Sequence, residues 1–315
     1  MGALDGRVAI ITGVGSGIGR QHAHLFAEEG ASVVAVDLAA PHDVVAELAG
    51  PAVAVAADIS SWDDAHRIVA TAVEQFGALH VLVNNAGLGP SCRLDEMTEQ
   101  QWDDQLRVNL KGVFAPTRAA VGHWQGRRAA GETVAAAVVS TTSGAGLLGN
   151  PDATAYGAAK AGVAAFTTIA AMELRDTGIR LNAIAPAART PMSGEGTDSV
   201  VAQFMRRPDD ADRFDAWHPG NISPLVGYLA SAGCPITGEV FHVRGGVVGH
   251  FEGWTIGGVL EIDRRWTIDE LAERLPAVVA AAPDRNDAGG AAYASLRATL
   301  RDDRLGSAAP APGRT

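Results

Sequence analysis

The run Arg7-Val8-Ala9-Ile10-Ile11-Thr12 is short and apolar, and a glycine-rich turn, Gly13-Val14-Gly15-Ser16-Gly17-Ile18-Gly19, follows it at once. A run of this kind suits a strand buried on both faces. Beyond the turn, Ile18, Leu25 and Phe26 share one helical face until Gly30 ends the helix. A strand, a glycine turn and a helix in that order are the opening of a βαβ unit, which commits the chain to a parallel sheet with crossover helices. In such a turn the main-chain amides and the helix N-terminus face outward together, so Gly13, Ser16, Gly17, Ile18 and Gly19 form a candidate pyrophosphate cradle.

The second strand, Ser32 to Val36, ends at Asp37. A carboxylate there accepts both hydroxyls of an adenosine ribose and repels a 2'-phosphate, so it selects NAD over NADP. Neither Ser16 nor the neighbouring Leu38 supplies the positive charge that a phosphate needs.

The alternation continues along the chain. A third strand, Ala52 to Ala57, leads into Asp58-Ile59, and a helix from about Ser61 to Phe76 carries the chain to Val81-Leu82-Val83-Asn84-Asn85-Ala86-Gly87. A helix opens near Thr98, with Gln101 placed for a capping box, and is expected to close at Asn109. The strand Val134 to Val139 ends in Ser140-Thr141-Thr142-Ser143, Arg180 to Ala185 makes a sixth strand, and Glu239 to Val243 a seventh. This succession specifies an α/β fold: a doubly wound, Rossmann-like parallel sheet of seven strands.

Chemistry concentrates between Ser143 and Lys160, a stretch that ends in Tyr156-x-x-x-Lys160. Residues four apart on a helix lie on one face, so a helix entered near Asp152 makes the phenol and the ammonium neighbours. A nearby cation favours phenolate and is expected to lower the tyrosine pKa towards the working pH, where the group serves as general acid or base. The lysine stands out because the chain has only Lys111 and Lys160 among 25 Lys and Arg residues. An arginine fork hydrogen-bonds differently from a compact ammonium.

Charge narrows the partners. A net charge of -11, with no run of Lys or Arg, argues against nucleic acid or an anionic membrane surface and for a small molecule. Cys92, Cys234 and nine histidines show no metal-ligand spacing, and no metal is expected. The start MGALDGRVAIITG lacks the features of a signal peptide, and no run of eighteen apolar residues occurs, so a cytoplasmic location is expected.

Taken in order, Thr12-Gly13-x-x-x-Gly17-Ile18-Gly19, Asn84-Asn85-Ala86-Gly87, Asn109, Ser143, Tyr156-x-x-x-Lys160, and Pro186 with Thr190 resemble the short-chain dehydrogenase/reductases, from about Leu4 to Gly246. The resemblance implies that Tyr156 transfers the proton, that Lys160 lowers its pKa and holds the nicotinamide ribose, and that Ser143 hydrogen-bonds the substrate oxygen. It implies that Asn109 holds a water linking Lys160 to solvent. It also implies that Asp58, Ile59, Asn85, Ala86, Gly87, Pro186 and Thr190 join the glycine turn and Asp37 around NAD. Two places depart from the family pattern: Pro186-Ala187 replaces Pro-Gly, and Arg244-Gly245-Gly246 replaces an acidic residue before paired glycines.

The chain therefore divides into a catalytic domain, 1–246, and a C-terminal helical extension, 247–315. Between about 190 and 221 the domain carries an insertion in which Val200, Val201, Phe204 and Met205 are spaced to line one helical face, as a flap over an apolar substrate would. In the extension, Thr267 and Glu270 form a capping box that opens a short helix interrupted at Pro276. A second helical stretch is expected near Ala291 to Leu300, with disorder over Ser307 to Thr315. The segments GEVFHVRGGVVGHFEGW and RRWTIDEL resemble the (3R)-hydroxyacyl-CoA dehydrogenase units of peroxisomal multifunctional enzymes and their bacterial relatives. This implies a 3-hydroxyacyl-CoA thioester as substrate, with Arg206 and Arg207 available to its phosphates. A hydroxysteroid or other lipid alcohol, or a non-catalytic NAD-binding role, is the alternative. The resemblance and the Ala-rich helix after Tyr156, with Ala158, Ala159, Ala161, Ala164 and Ala165, imply a homodimer or homotetramer.

Overall fold

The computed structural model describes residues 2–89, 92–193, 205–210, 212–254, 256 and 258–280. Its sheet holds β1 (Val8–Thr12), β2 (Ser32–Asp37), β3 (Ala52–Ala56), β4 (Val81–Asn84), β5 (Ala136–Thr141), β6 (Ile179–Pro186), β7 (Val240–Arg244) and β8 (Val247–His250). The spatial order is β3-β2-β1-β4-β5-β6-β7-β8. The first seven strands are parallel, and the order reverses at β1 and β4, which opens a crevice beyond their carboxyl ends.

The eighth strand is an addition to the seven read from sequence. β8 pairs antiparallel to β7, with Arg244 opposite Val247 across a tight reversal at Gly245, whose φ of 50° lies in the left-handed region that glycine enters without a Cβ penalty. Chain contacts accordingly separate a first unit, Met1–Phe251, from a second, Glu252–Thr315.

Helices cover both faces of the sheet. Alternate residues of each strand point to opposite sides, so Ile11, Val33 and Val83 meet Phe26 of α1 (Gly17–Glu28), Val44 of α2 (His42–Glu47), and Ile222 and Leu229 near and within α8 (Ser223–Ala230). Ile10, Val34, Leu82 and Val138 meet Ile68 of α3 (Trp62–Phe76), Trp124 of α5 (Gly112–Ala129), and Ala170 and Ala171 of α7 (Thr154–Glu173). Burying each large side chain stabilises the fold by about 1.5–3 kcal/mol. Trp124 also satisfies its indole N–H by donating to the Leu79 carbonyl at 2.7 Å.

Helix ends follow local chemistry. The Ser61 hydroxyl accepts from Asp64 N at the start of α3, and Gly77 closes that helix at φ 76°. Thr98 and Gln101 form both halves of the capping box before α4 (Glu99–Leu106). The helix does not end at Asn109, contrary to the sequence expectation. Arg107–Lys111 instead forms a π turn that runs directly into α5. A π turn inserts one residue into the helical repeat and re-aims a side chain, here Asn109, into the protein.

Other differences lie further along the chain. In the second unit, α9 (Ile268–Ala280) opens with the expected Thr267–Glu270 capping box but continues through Pro276, which removes one helical donor without ending the helix. Of the flap residues, Val200, Val201 and Phe204 lie outside the described residues, as do Ala291 to Leu300 and Ser307 to Thr315. The described parts of the insertion are anchored: Arg189 Nη1 donates to the Met205 carbonyl at 2.8 Å, and Arg189 Nη2 pairs with Asp215 at 2.5 Å. No helix among the described residues is long and apolar enough to cross a membrane.

Candidate active site

Four of the predicted residues converge beyond the carboxyl ends of β4 and β5. Tyr156 and Lys160 occupy the first two turns of α7, which begins at Thr154 after Asp152 turns the chain at φ 63°. Ser143 caps the short helix α6 (Gly144–Leu147), accepting from Ala145 N at 3.2 Å, and its hydroxyl lies near enough to the Tyr156 phenol to favour phenolate. Asn109 is completely buried, and its amide bridges Leu88 and Gln105: Nδ2 donates to the Leu88 carbonyl at 3.2 Å and to Gln105 Oε1 at 2.6 Å, while Oδ1 accepts from Leu88 N at 3.1 Å. Asn109 and Lys160 both reach Gly87, where an added Cβ would lie 2.5 Å from Asn109 Oδ1 and 3.4 Å from Lys160 Nζ.

The electrostatics differ from the sequence expectation. Burial pushes the Tyr156 phenol above its ordinary value, and the nearby Ser143 hydroxyl only partly offsets this by favouring phenolate. Lys160 is buried and without a carboxylate partner among the described residues, which brings its ammonium down to about 8. Its Nζ donates to the Thr141 carbonyl at 2.8 Å and stands 5.9 Å from the centre of the Tyr156 ring. The lysine thus lies beside the ring without bonding the hydroxyl, and desolvation outweighs its attraction for phenolate.

The glycine turn has the shape of a backbone cradle. Ser16 precedes α1 without capping it through its side chain, so the first amides of that helix keep their donors. Gly13 sits so close to the loop after β4 that a Cβ would approach Ala86 Cα to 2.7 Å, and a Cβ on Gly19 would meet the Gly13 carbonyl at 2.0 Å. Thr190 closes the other side, with its methyl 3.1 Å from where a Gly17 Cβ would stand. Asp37 braces the turn, accepting from Gly15 N at 2.8 Å and Leu38 N at 2.7 Å. Each carboxylate oxygen retains a lone pair for a ribose hydroxyl. A dinucleotide fits this set, with its pyrophosphate on the amides and its ribose on Asp37.

The remaining predicted contacts divide by side chain. Asp58 is already committed, with Oδ1 to Ser60 and Oδ2 to Arg107 at 3.0 Å. Ile59 packs its side chain against Gly112 at the start of α5. Asn85 is tied to β1 through its own N and Nδ2, which donate to Thr12 Oγ1 at 3.0 Å and the Thr12 carbonyl at 3.1 Å. Ala86 N also donates to Thr12 Oγ1, at 3.1 Å. Pro186 ends β6, and Ala187 N donates to the Val243 carbonyl at 3.0 Å. Sequence reasoning missed Gln105, although its position four residues before Asn109 on the same helical face could have shown it, and the Thr141 carbonyl, which no side-chain pattern reveals.

Comparison with known proteins agrees with this geometry. The short chain dehydrogenase family matches residues 7–199. Hydroxyacyl-CoA dehydrogenase ChsB1 of Mycobacterium tuberculosis is 36% identical over 280 residues, covering 84% of this chain and 84% of that protein. Mouse peroxisomal multifunctional enzyme type 2 is 32% identical over 270 residues, 82% of this chain but 34% of the longer protein. The crystal structure of 3-ketoacyl-(acyl-carrier-protein) reductase from Brucella melitensis complexed with NADH superposes with a TM-score of 0.67 at 32% identity, covering 77% of this chain and 98% of that one.

Proposed function

Since the chain belongs to the short chain dehydrogenase family, whose members are oxidoreductases that bind a nicotinamide cofactor, we propose that it uses NAD to interconvert the alcohol and ketone of a 3-hydroxyacyl-CoA thioester. The observation that carries this reading is the convergence of Ser143, Tyr156, the buried Lys160 and Asn109 beyond β4 and β5, at the mouth of a glycine cradle. The thioester is supported by the similarity to a hydroxyacyl-CoA dehydrogenase and to a reductase of carrier-bound 3-ketoacyl groups. The choice of NAD is supported by Asp37 beside the uncharged Leu38.

Bound NAD supplies a hydride acceptor and, in its oxidised form, a positive charge. The chain's own groups manage the proton. Tyr156 as phenolate takes the hydroxyl proton as the C–H hydride leaves, and Ser143 donates to the substrate oxygen while the carbonyl forms. Lys160 lies where it can hold the nicotinamide ribose and favour the phenolate, and Asn109 fixes the main chain at Leu88 beside them. Burial of the tyrosine and lysine excludes the water that would weaken these contacts.

A homodimer or homotetramer is the proposed working form. Along α7, Ala159 and Ala164 are spent on the protein's own core, whereas Ala158 and Ala165 are exposed in line with Ile169 (56% exposed) and Met172 (63% exposed).

The test is turnover. NADH formation would be followed with 3-hydroxyacyl-CoA thioesters, the matched acyl-carrier-protein thioesters, hydroxysteroids and simple secondary alcohols, each with NAD and NADP. The account predicts the highest kcat/KM for a CoA thioester with NAD. Equal or better turnover of alcohols without CoA would overturn the substrate, and preference for NADP would overturn the cofactor.

A further inference from the structure

Two buried arginines lie near each other in the fold, and only one has its polar partners. Arg189, on the loop after β6, is met by Asp215 and the Met205 carbonyl. Arg244, at the carboxyl end of β7, is 2% exposed, and its Nε and Nη1 have no hydrogen-bond partner. Among the described residues no carboxylate pairs with it, and its guanidinium centre sits 4.8 Å from the ring of Trp217. A guanidinium cannot shed its charge to escape burial, so a fold that keeps one unpaired retains a cost that an apolar residue of similar size would remove. Two residues earlier on the same face of the strand, His242 donates through Nδ1 to the Ala185 carbonyl at 3.0 Å, and its buried Nε2 is likewise unpartnered. The intervening Val243 belongs to the core on the opposite face. Unsatisfied polar atoms thus cluster on one face at the top of β7.

The strand order says what could reach them. β1, which feeds the glycine turn, lies four strand spacings from β7, about 19 Å at roughly 4.8 Å per spacing. β5, which feeds Ser143, lies two spacings away, about 10 Å. A substrate reacting at Ser143 and Tyr156 is therefore within range of Arg244 through several bonds. Val243 pairs with Pro186 of β6, which sets Arg244 at the carboxyl end of the sheet, the side on which ligands of such sheets bind.

We propose that Arg244, stacked on Trp217, is the receptor for an oxyanion of the substrate, a carboxylate or phosphate several bonds from the reacting carbon. The aromatic face fixes the plane of the guanidinium, and its free edge offers Nε and an Nη as parallel donors to two anion oxygens. The inference goes beyond the proposed thioester activity by assigning the substrate a second, anionic recognition point. The oxyanion has two sources, the acyl group or the thioester carrier.

The experiment has a binding arm and a turnover arm. NADH-loaded wild type, Arg244→Met and Arg244→Lys would be titrated by calorimetry with suberate and with 1,8-octanediol, a neutral molecule of the same chain length, whether or not any thioester is turned over. Expected is at least a tenfold weaker suberate affinity in Arg244→Met, partial recovery in Arg244→Lys, and no change for the diol. Thermal melting of Arg244→Met should be no lower than wild type, because the unpaired charge is gone. Unchanged suberate binding, an equal loss for the diol, or a drop in melting temperature or association state with no binding difference would overturn the proposal; the last would mark Arg244 as a structural clamp or a subunit contact. In turnover, a tenfold loss of kcat/KM confined to thioesters with a terminal acyl carboxylate assigns the oxyanion to the acyl group, and an equal loss for all CoA thioesters assigns it to the carrier. If no thioester is turned over while suberate binding still depends on Arg244, the proposed activity fails and the anion receptor stands.

Discussion

The Lys160 ammonium donates to the Thr141 carbonyl at 2.8 Å and stands 5.9 Å from the centre of the Tyr156 ring. The lysine is therefore held by β5 rather than by the tyrosine. Both groups carry the cost of burial, the phenol pushed up and the ammonium down to about 8.

That cost is measurable in stability. The unfolded chain binds the Lys160 proton more tightly than the folded chain does, so folding is penalised fully below about pH 8, and the penalty fades as pH rises towards 10.5. The shift corresponds to about 3 kcal/mol. Denaturant unfolding of wild type and Lys160→Met should show the stability difference moving in favour of wild type by up to that amount between pH 8 and 10.5. A difference that stays flat over this range would show that Lys160 titrates normally.

The proposed choice of NAD over NADP rests on Asp37, whose carboxylate accepts from Gly15 and Leu38 beside no basic side chain in the turn. Asp37→Ser combined with Leu38→Arg should move the ratio of NAD to NADP specificity constants by at least tenfold towards NADP. An unchanged ratio would place the selection elsewhere.

The exposed stripe on α7 tests the assembly. Ile169→Glu with Met172→Glu should lower the sedimenting mass to that of a single chain at micromolar concentration, with the fold retained by circular dichroism. An unchanged oligomer would put the contact on another surface, and a wild-type monomer would remove the assembly from the account.

Much of this was legible in local spacing. The glycine turn, Asp37, the Thr98 and Thr267 caps and the Tyr156–Lys160 pair are patterns of two to seven residues, and local geometry places them where the sequence implies. The course of the chain through Asn109 was not legible, because a π turn differs from a helix end by one residue that no hydrophobic period marks. The eighth strand was hidden for a related reason: Val247–His250 is four residues long and forms only because Gly245 folds it back onto β7. Pro276 read as a stop, yet a helix tolerates one missing donor. The partnerless state of Arg244 depends on what the rest of the chain leaves empty, which sequence patterns do not encode.

The proton transfer assigned to Tyr156 is tested most directly by comparing wild type with Tyr156→Phe in one experiment that reads both binding and chemistry. NADH affinity would be measured by fluorescence titration, and NADH formation from a 3-hydroxyacyl-CoA thioester would be followed at saturating NAD. The account predicts an affinity within about threefold of wild type and a turnover reduced by at least a hundredfold, because the ring still packs while the proton acceptor is gone. Turnover within a few-fold of wild type, with NADH still bound, would contradict it and place the proton transfer on another group.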